Sequence, residues 1–206
     1  MNVHTQALQL QGQAGLVEAL LDEPQGAVVG TAVIAHPHPL FGGTMNNKVV
    51  QTLARAFVQC GWRAVRFNFR GVGASQGEHD AGQGEAQDMF QVVQQVAPHG
   101  PLALAGFSFG AFVTTHVVAG LAERQVAKLV LVGTAASRFE VAPVPAAVHE
   151  HTLVLHGEQD DTVPLDSVMN WARPQHLPVT VIPGVEHFFH GQLPLLKSLV
   201  VRHLRA

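Results

Sequence analysis

The chain has 206 residues, 47% of them hydrophobic and 13% charged, which predicts a folded globule with a substantial core and excludes a disordered chain. A formal charge of −3 argues against attraction to nucleic acid or to an anionic membrane surface. The one cysteine, Cys60, excludes an intrachain disulfide, and its place at the end of a helical pattern predicts a buried, inert thiol.

Residues 3–10 alternate polar and apolar side chains, and residues 16–21 form a second extended segment beyond a turn at Gly12 to Gly15. Together they predict an N-terminal antiparallel pair. Residues 28–35 are small or β-branched throughout, as in a strand buried on both faces. Pro37 and Pro39 then impose a loop over residues 36–43. Val49, Val50, Leu53, Ala54, Phe57 and Val58 recur at helical spacing, with Asn46 or Asn47 as the cap and Gly61 as the stop. A strand over 62–69 is closed by Arg70-Gly71-Val72-Gly73. An amphipathic helix follows over 85–96, with Glu85 and Asp88 in its first turn and Pro98 beyond its end. Residues 101–105 read as a strand and 111–121 as a helix apolar nearly all round, hence central and buried. Further strands are expected at 128–133, 151–156 and 179–182, and helices near 165–173 and 193–204. The pattern predicts an α/β fold in one domain, 1–206: a mostly parallel eight-stranded sheet, antiparallel at its N-terminal strands, with helices on both faces. No stretch approaches eighteen consecutive apolar residues, and residues 1–13 lack the basic and apolar regions of a secretory signal, so a soluble cytoplasmic protein is expected.

Between the strand at 101–105 and the helix at 111–121 lies Gly106-Phe107-Ser108-Phe109-Gly110. A G-x-S-x-G sequence in a strand–turn–helix context lifts the serine hydroxyl clear of both elements, at φ > 0, and needs small residues where strand and helix nearly touch. Ser108 is therefore the candidate nucleophile. Its hydroxyl needs a neighbouring base, and the base an acid to hold its tautomer; on such a sheet they follow in the chain order serine, acid, histidine. The segment after the strand at 151–156 offers Glu158, Asp160 and Asp161. After the last strand His187 lies directly beyond the turn and is assigned as base, leaving His190 a packing or supporting role. Two backbone N–H groups must face the developing oxyanion. Phe109 supplies one; in the loop at 36–41 the prolines leave His38, Leu40 and Phe41, of which Leu40 is favoured and His38 comes next. His36 and His38 are spaced H-x-H with no carboxylate or cysteine close by in sequence, so neither a metal nor another cofactor is expected. Arg66, Arg70 and His156 read as loop anchors.

Five segments carry a resemblance: 36–47 (HPHPLFGGTMNN), 68–77 (NFRGVGASQG), 106–110 (GFSFG), 156–164 (HGEQDDTVP) and 184–191 (GVEHFFHG). In this order, over nearly the whole chain, they resemble the small bacterial α/β-hydrolases known as predicted serine hydrolases or esterases. The resemblance implies the α/β-hydrolase fold and a Ser-His-Asp triad. In H-G-x-x-D-x-x-V-P the implied acid is Asp160, and the histidine before Phe188-Phe189 is His187. A related branch, resembling dienelactone hydrolases, has a cysteine where this chain has Ser108. Larger members of the fold insert a helical lid where this chain has only seventeen residues, Thr134 to Glu150, so an open site without a lid is expected. Phe41, Phe109, Phe188 and Phe189 are expected to wall the substrate, and Phe107 to do so or to join the core. These features favour a serine hydrolase of short-to-medium acyl esters, its partner a small-molecule ester, the protein a monomer or homodimer. A thioesterase or peptidase with the same triad is the alternative, although no basic run marks a coenzyme A site. A non-catalytic binding module is a third reading, disfavoured because every triad position is filled.

Overall fold

The computed structural model describes residues 5–121 and 126–206. The hairpin β1 (Thr5–Gly12) and β2 (Gly15–Asp22) opens the sheet, with Gly15 at φ 119 taking the tight turn. The expected start of β1 at Val3 lies outside the described residues. β2 pairs antiparallel with β4 (Trp62–Phe67), and from there the pairing is parallel through β3 (Gly30–Ala35), β5 (Leu102–Phe107), β6 (Val126–Val132), β7 (Thr152–Gly157) and β8 (Val179–Ile182). The order is β1-β2-β4-β3-β5-β6-β7-β8, the mostly parallel eight-stranded α/β sheet expected from the sequence. Helices α1 (Lys48–Gln59) and α5 (Leu193–Arg205) bury one face; α2 (Gln83–Val96), α3 (Phe109–Gly120) and α4 (Leu165–Ala172) bury the other. Residues 133–151 join β6 to β7 through a short 3-10 stretch at Ala146–His151, with no helical cap inserted. No helix among the described residues is long and apolar enough to cross a membrane.

β3 and β4 are each two residues shorter than the sequence reading. β3 begins at Gly30, opposite Trp62, and leaves Val28 and Val29 44% and 49% exposed. β4 stops at Phe67: the Asn68 N–H still donates to the Glu18 carbonyl of β2, but the Phe69 N–H is captured by His36 Nε2. Asn47 caps α1, its Oδ1 accepting from Val49 N–H at 2.9 Å. Glu85, fully buried, ties down the start of α2 by accepting from the Gly82 and Asp80 N–H groups. Cys60 is half-buried rather than buried, because it lies just past the last turn of α1 with its Sγ 3.9 Å from the Val201 carbonyl.

His36 ties the ends of β3 and β4 together. Its Nε2 accepts from Phe69 N–H at 3.0 Å, so Nδ1 carries the proton and donates to the Pro37 carbonyl at 2.6 Å. A second proton would set N–H against N–H, and burial pushes this imidazole down to about 4 despite the bond to Pro37. The unfolded chain protonates His36 near its ordinary pKa of about 6.5, so between there and 4 the unfolded state binds more protons and stability falls as pH falls. The full loss is about 3 kcal/mol, complete once pH drops below the folded value. His203, pushed to about 4 by burial and then by Lys128, acts with the same sign. Urea denaturation at several pH values should show this slope in the native protein and a shallower one in His36→Gln. Equal slopes would mean that His36 is not a source of acid lability.

Candidate active site

The site stands where the topology reverses, at the carboxyl ends of β3 and β5, from which the chain continues to opposite sides of the sheet. β5 runs into Ser108, which sits at φ 57, ψ −114 between strand and helix. Such a backbone costs about 1–3 kcal/mol and persists because its surroundings fix it. Ser108 N–H donates to the Val132 carbonyl, and its own carbonyl accepts from Ala111, Phe112 and Ala135. Gly106 and Gly110 permit the approach of α3: a Cβ on either would lie 2.4 Å from backbone atoms, of Gly110 in one case and Ala35 in the other.

His187 follows β8 and reaches back over the sheet. Its Nε2 lies 3.0 Å from Ser108 Oγ, and its Nδ1 lies 2.6 Å from Asp160 Oδ2. A carboxylate only accepts, so Nδ1 carries the proton and Nε2 offers its lone pair to the Ser108 hydroxyl. The Phe107 ring, 4.9 Å from the imidazole and tilted 34°, supports it from below, and Gly133 leaves room beside it. Asp160 is buried; its Oδ1 accepts from Thr162 and Val163 N–H, which leaves Oδ2 for His187. His156 Nε2, 3.5 Å from the same oxygen, donates to the Val163 carbonyl at 2.9 Å, and burial is the first cause holding its pKa below the ordinary value. The neighbouring acids point elsewhere. Asp161 is exposed, and Glu158 accepts from Gly184 N–H to hold the turn after β8. His190 is exposed, with its ring 5.9 Å from that of Phe188 and Nδ1 3.0 Å from Glu186 Oε1.

A cavity of about 240 Å³ opens over Ser108 and His187. Phe41 (75% exposed) and Phe188 (42% exposed) line it. Phe189 does not. It takes φ 55, which turns its ring inward, and it is fully buried with Leu196 and Val200 of α5. Phe109 also turns its ring into the core, against Phe69, Phe112 and Phe139. Leu40, the favoured N–H from the first loop, points away: its N–H donates to His38 Nδ1 at 3.2 Å, the side chain is 70% exposed, and the residue does not line the cavity. His38 does line it. The His38 and Phe109 N–H groups find no hydrogen-bond partner among the described residues. Asn47, Thr162 and Arg138 complete the polar lining; the first two lie in the segments 36–47 and 156–164, while Arg138 lies in none of the five.

No three His, Cys, Asp or Glu side chains converge as metal ligands among the described residues. Both nitrogens of His36 are engaged, and His38 Nδ1 faces Leu40 N–H. A larger cavity, about 530 Å³, lies between β2 and α1, floored by the buried Asp22–Arg66 ion pair and remote from Ser108. Arg66 there also donates to the Met45 carbonyl, and Arg70 pairs with Asp88 at 2.7 Å, so both arginines hold loops in place.

Among known proteins, residues 39–151 match the model of the family described as serine aminopeptidase, S33. A crystal structure from Xanthomonas campestris, an α/β serine hydrolase without a lid, is 34% identical, covering 100% of this chain and 95% of that one with a TM-score of 0.88. An α-β serine hydrolase homologue from Coxiella burnetii is 40% identical, covering 97% of each chain with a TM-score of 0.83. An uncharacterized protein of Rickettsia prowazekii is 29% identical over 195 residues, 86% of this chain and 79% of that protein.

Proposed function

The chain belongs to the α/β serine hydrolases matched by the serine aminopeptidase S33 family, and from that premise we propose that it cleaves carboxylic esters of short-to-medium acyl chains. Ser108 is the nucleophile, His187 the general base and Asp160 the acid that orients it. The observation that carries the reading is the convergence on one hydroxyl, with Ser108 Oγ 3.0 Å from His187 Nε2 and His187 Nδ1 2.6 Å from Asp160.

In the first step Ser108 Oγ bonds to the ester carbonyl carbon and its proton passes to His187 Nε2. Negative charge gathers on the carbonyl oxygen. The Phe109 and His38 N–H groups, which find no hydrogen-bond partner among the described residues, serve it in place of Leu40, whose N–H is spent on His38 Nδ1. The C–O bond to the alcohol breaks as His187 returns the proton to the leaving oxygen, and the acyl group stays on Ser108. Water then adds with His187 again as base, the carboxylic acid leaves, and Ser108 recovers its proton.

Two features favour esters over N-terminal peptides, despite the family's name. An aminopeptidase site must hold the substrate's ammonium, which calls for a carboxylate, and none lines this cavity among the described residues. Arg138, which does line it, has the wrong sign. A cavity of about 240 Å³ without a cap suits a small acyl group. Hydrolysis of p-nitrophenyl esters from acetate to palmitate, with Ser108→Ala in parallel, tests the reading. Turnover should be highest on the shorter chains and vanish in the variant. Full activity on emulsified long-chain triglyceride would overturn the chain-length assignment. If no ester turned over while a fluorophosphonate still labelled Ser108, the triad would stand and the ester assignment would fall.

A further inference from the structure

We propose that Arg138 selects substrates bearing a negative charge, a carboxylate on either the acyl or the alcohol side of the scissile ester, and so narrows the substrate class to anionic esters. The inference rests on the reading of Ser108 and His187 as the hydrolytic pair.

Placement is the first argument. Arg138 lines the same cavity as Ser108 and His187, and among the described residues no acidic side chain shares that lining. Three acids around the site are engaged. Asp160 is buried behind His187, Glu186 accepts from Phe188 and His190 N–H, and Glu85 accepts from Asp80 and Gly82 N–H. Among the described residues no carboxylate forms an ion pair with Arg138. Arg138 is exposed, so its charge is free to meet a substrate that enters the cleft, and its planar guanidinium fork suits a carboxylate.

Rigidity is the second. The turn that carries Arg138 is bonded to the reacting residue itself, since Ala135 N–H donates to the Ser108 carbonyl at 3.3 Å. Arg138 and Phe139 N–H both return to the Ala135 carbonyl, closing the turn. Phe139 then anchors it, stacked on Phe112 at 4.7 Å and 16° and set edge-on to Phe109 at 5.2 Å. The base of the Arg138 side chain is therefore held at a fixed offset from Ser108, as a residue that reads one end of a substrate must be. His38, in the same lining, feels the Arg138 charge among others: its pKa is lowered first by burial, then by His79, raised by Glu85 and lowered by Arg138.

The test uses pairs matched in size and differing in charge. Monoethyl glutarate against ethyl valerate places the carboxylate on the acyl side; 4-acetoxybenzoate against phenyl acetate places it on the alcohol side. For each pair the readout is the ratio of kcat/KM for the anionic over the neutral ester. On one arm the native protein should favour the anion, and Arg138→Gln should lower the ratio about tenfold, equivalent to about 1.4 kcal/mol. Arg138→Lys should keep part of the preference, and added salt should erode it. Which arm responds tells which side of the ester Arg138 faces. Ratios unmoved by Arg138→Gln on both arms, with the neutral esters still hydrolysed, would overturn this inference and leave the esterase reading intact. No turnover of any of the four, with no fluorophosphonate labelling of Ser108, would overturn the hydrolytic reading and this inference with it.

Discussion

Replacing Ser108 by alanine should lower ester turnover by about 10⁴- to 10⁶-fold while leaving the fold in place. The side chain makes one hydrogen bond, to His187, whereas the strained turn is held by backbone bonds to Val132, Ala111, Phe112 and Ala135 that alanine retains. His187→Ala should cost a comparable factor, and the double variant little more than either alone, because a nucleophile without its base and a base without its nucleophile fail at the same step. Asp160→Asn should fall less far, by about 10⁴-fold, since an amide NH₂ facing Nδ1 favours the tautomer that puts a proton on Nε2. Steady-state kinetics on p-nitrophenyl acetate, with melting curves to verify folding, measure all four. A Ser108→Ala protein within tenfold of the native rate would remove Ser108 from the mechanism. Costs that multiplied in the double variant would mean that the two residues act in separate steps.

Much of this site is legible in the sequence because its determinants are local or fixed by chain order. Gly106 and Gly110 flank a serine between an apolar strand and an apolar helix, and only a sharp turn reconciles those three features. His187 stands directly after the turn that ends the last strand, which confines where its ring can go. What the sequence does not carry is direction. Glu158, Asp160 and Asp161 are alike in composition; what separates them is the hydrogen bonding of Thr162 and Val163 N–H to one oxygen of Asp160. Phe188 and Phe189 are identical neighbours, one at the cavity and one in the core, because Phe189 takes a positive φ that no glycine or asparagine announces. Leu40 loses its N–H to a side chain two residues away, a contact set by the rotamer of His38. Arg138 lies in an irregular connection without periodicity, and only the turn back to the Ser108 carbonyl brings it to the cavity. Local pattern locates the elements, then, while the rim of the site depends on torsions and captured N–H groups that periodicity does not encode.

Gly110→Ala should destabilise the protein by about 4 kcal/mol or more, or prevent its folding, although the change adds a single methyl group to a helix. In most helices alanine is the better residue, by up to about 1 kcal/mol. Here the added Cβ would lie 2.4 Å from the Ala35 carbonyl oxygen and 2.5 Å from that of His36, and neither can retreat. β3 is hydrogen-bonded on both sides, to β4 and to β5, and His36 is fixed by Phe69 N–H and the Pro37 carbonyl. Relief must come from α3 lifting off the sheet, which would carry the Phe109 N–H away from the reacting carbonyl and break the Ser108 turn. Stability and turnover should therefore fall together, where a merely crowded core would lose stability first. Gly120→Ala, at the exposed end of the same helix, meets no atom within 4 Å among the described residues and should shift stability by no more than about 1 kcal/mol. Denaturant melts of the two variants, read beside their kcat on a short ester, separate the effects. A Gly110→Ala protein as stable and as active as Gly120→Ala would show that α3 does not need this contact to hold Ser108.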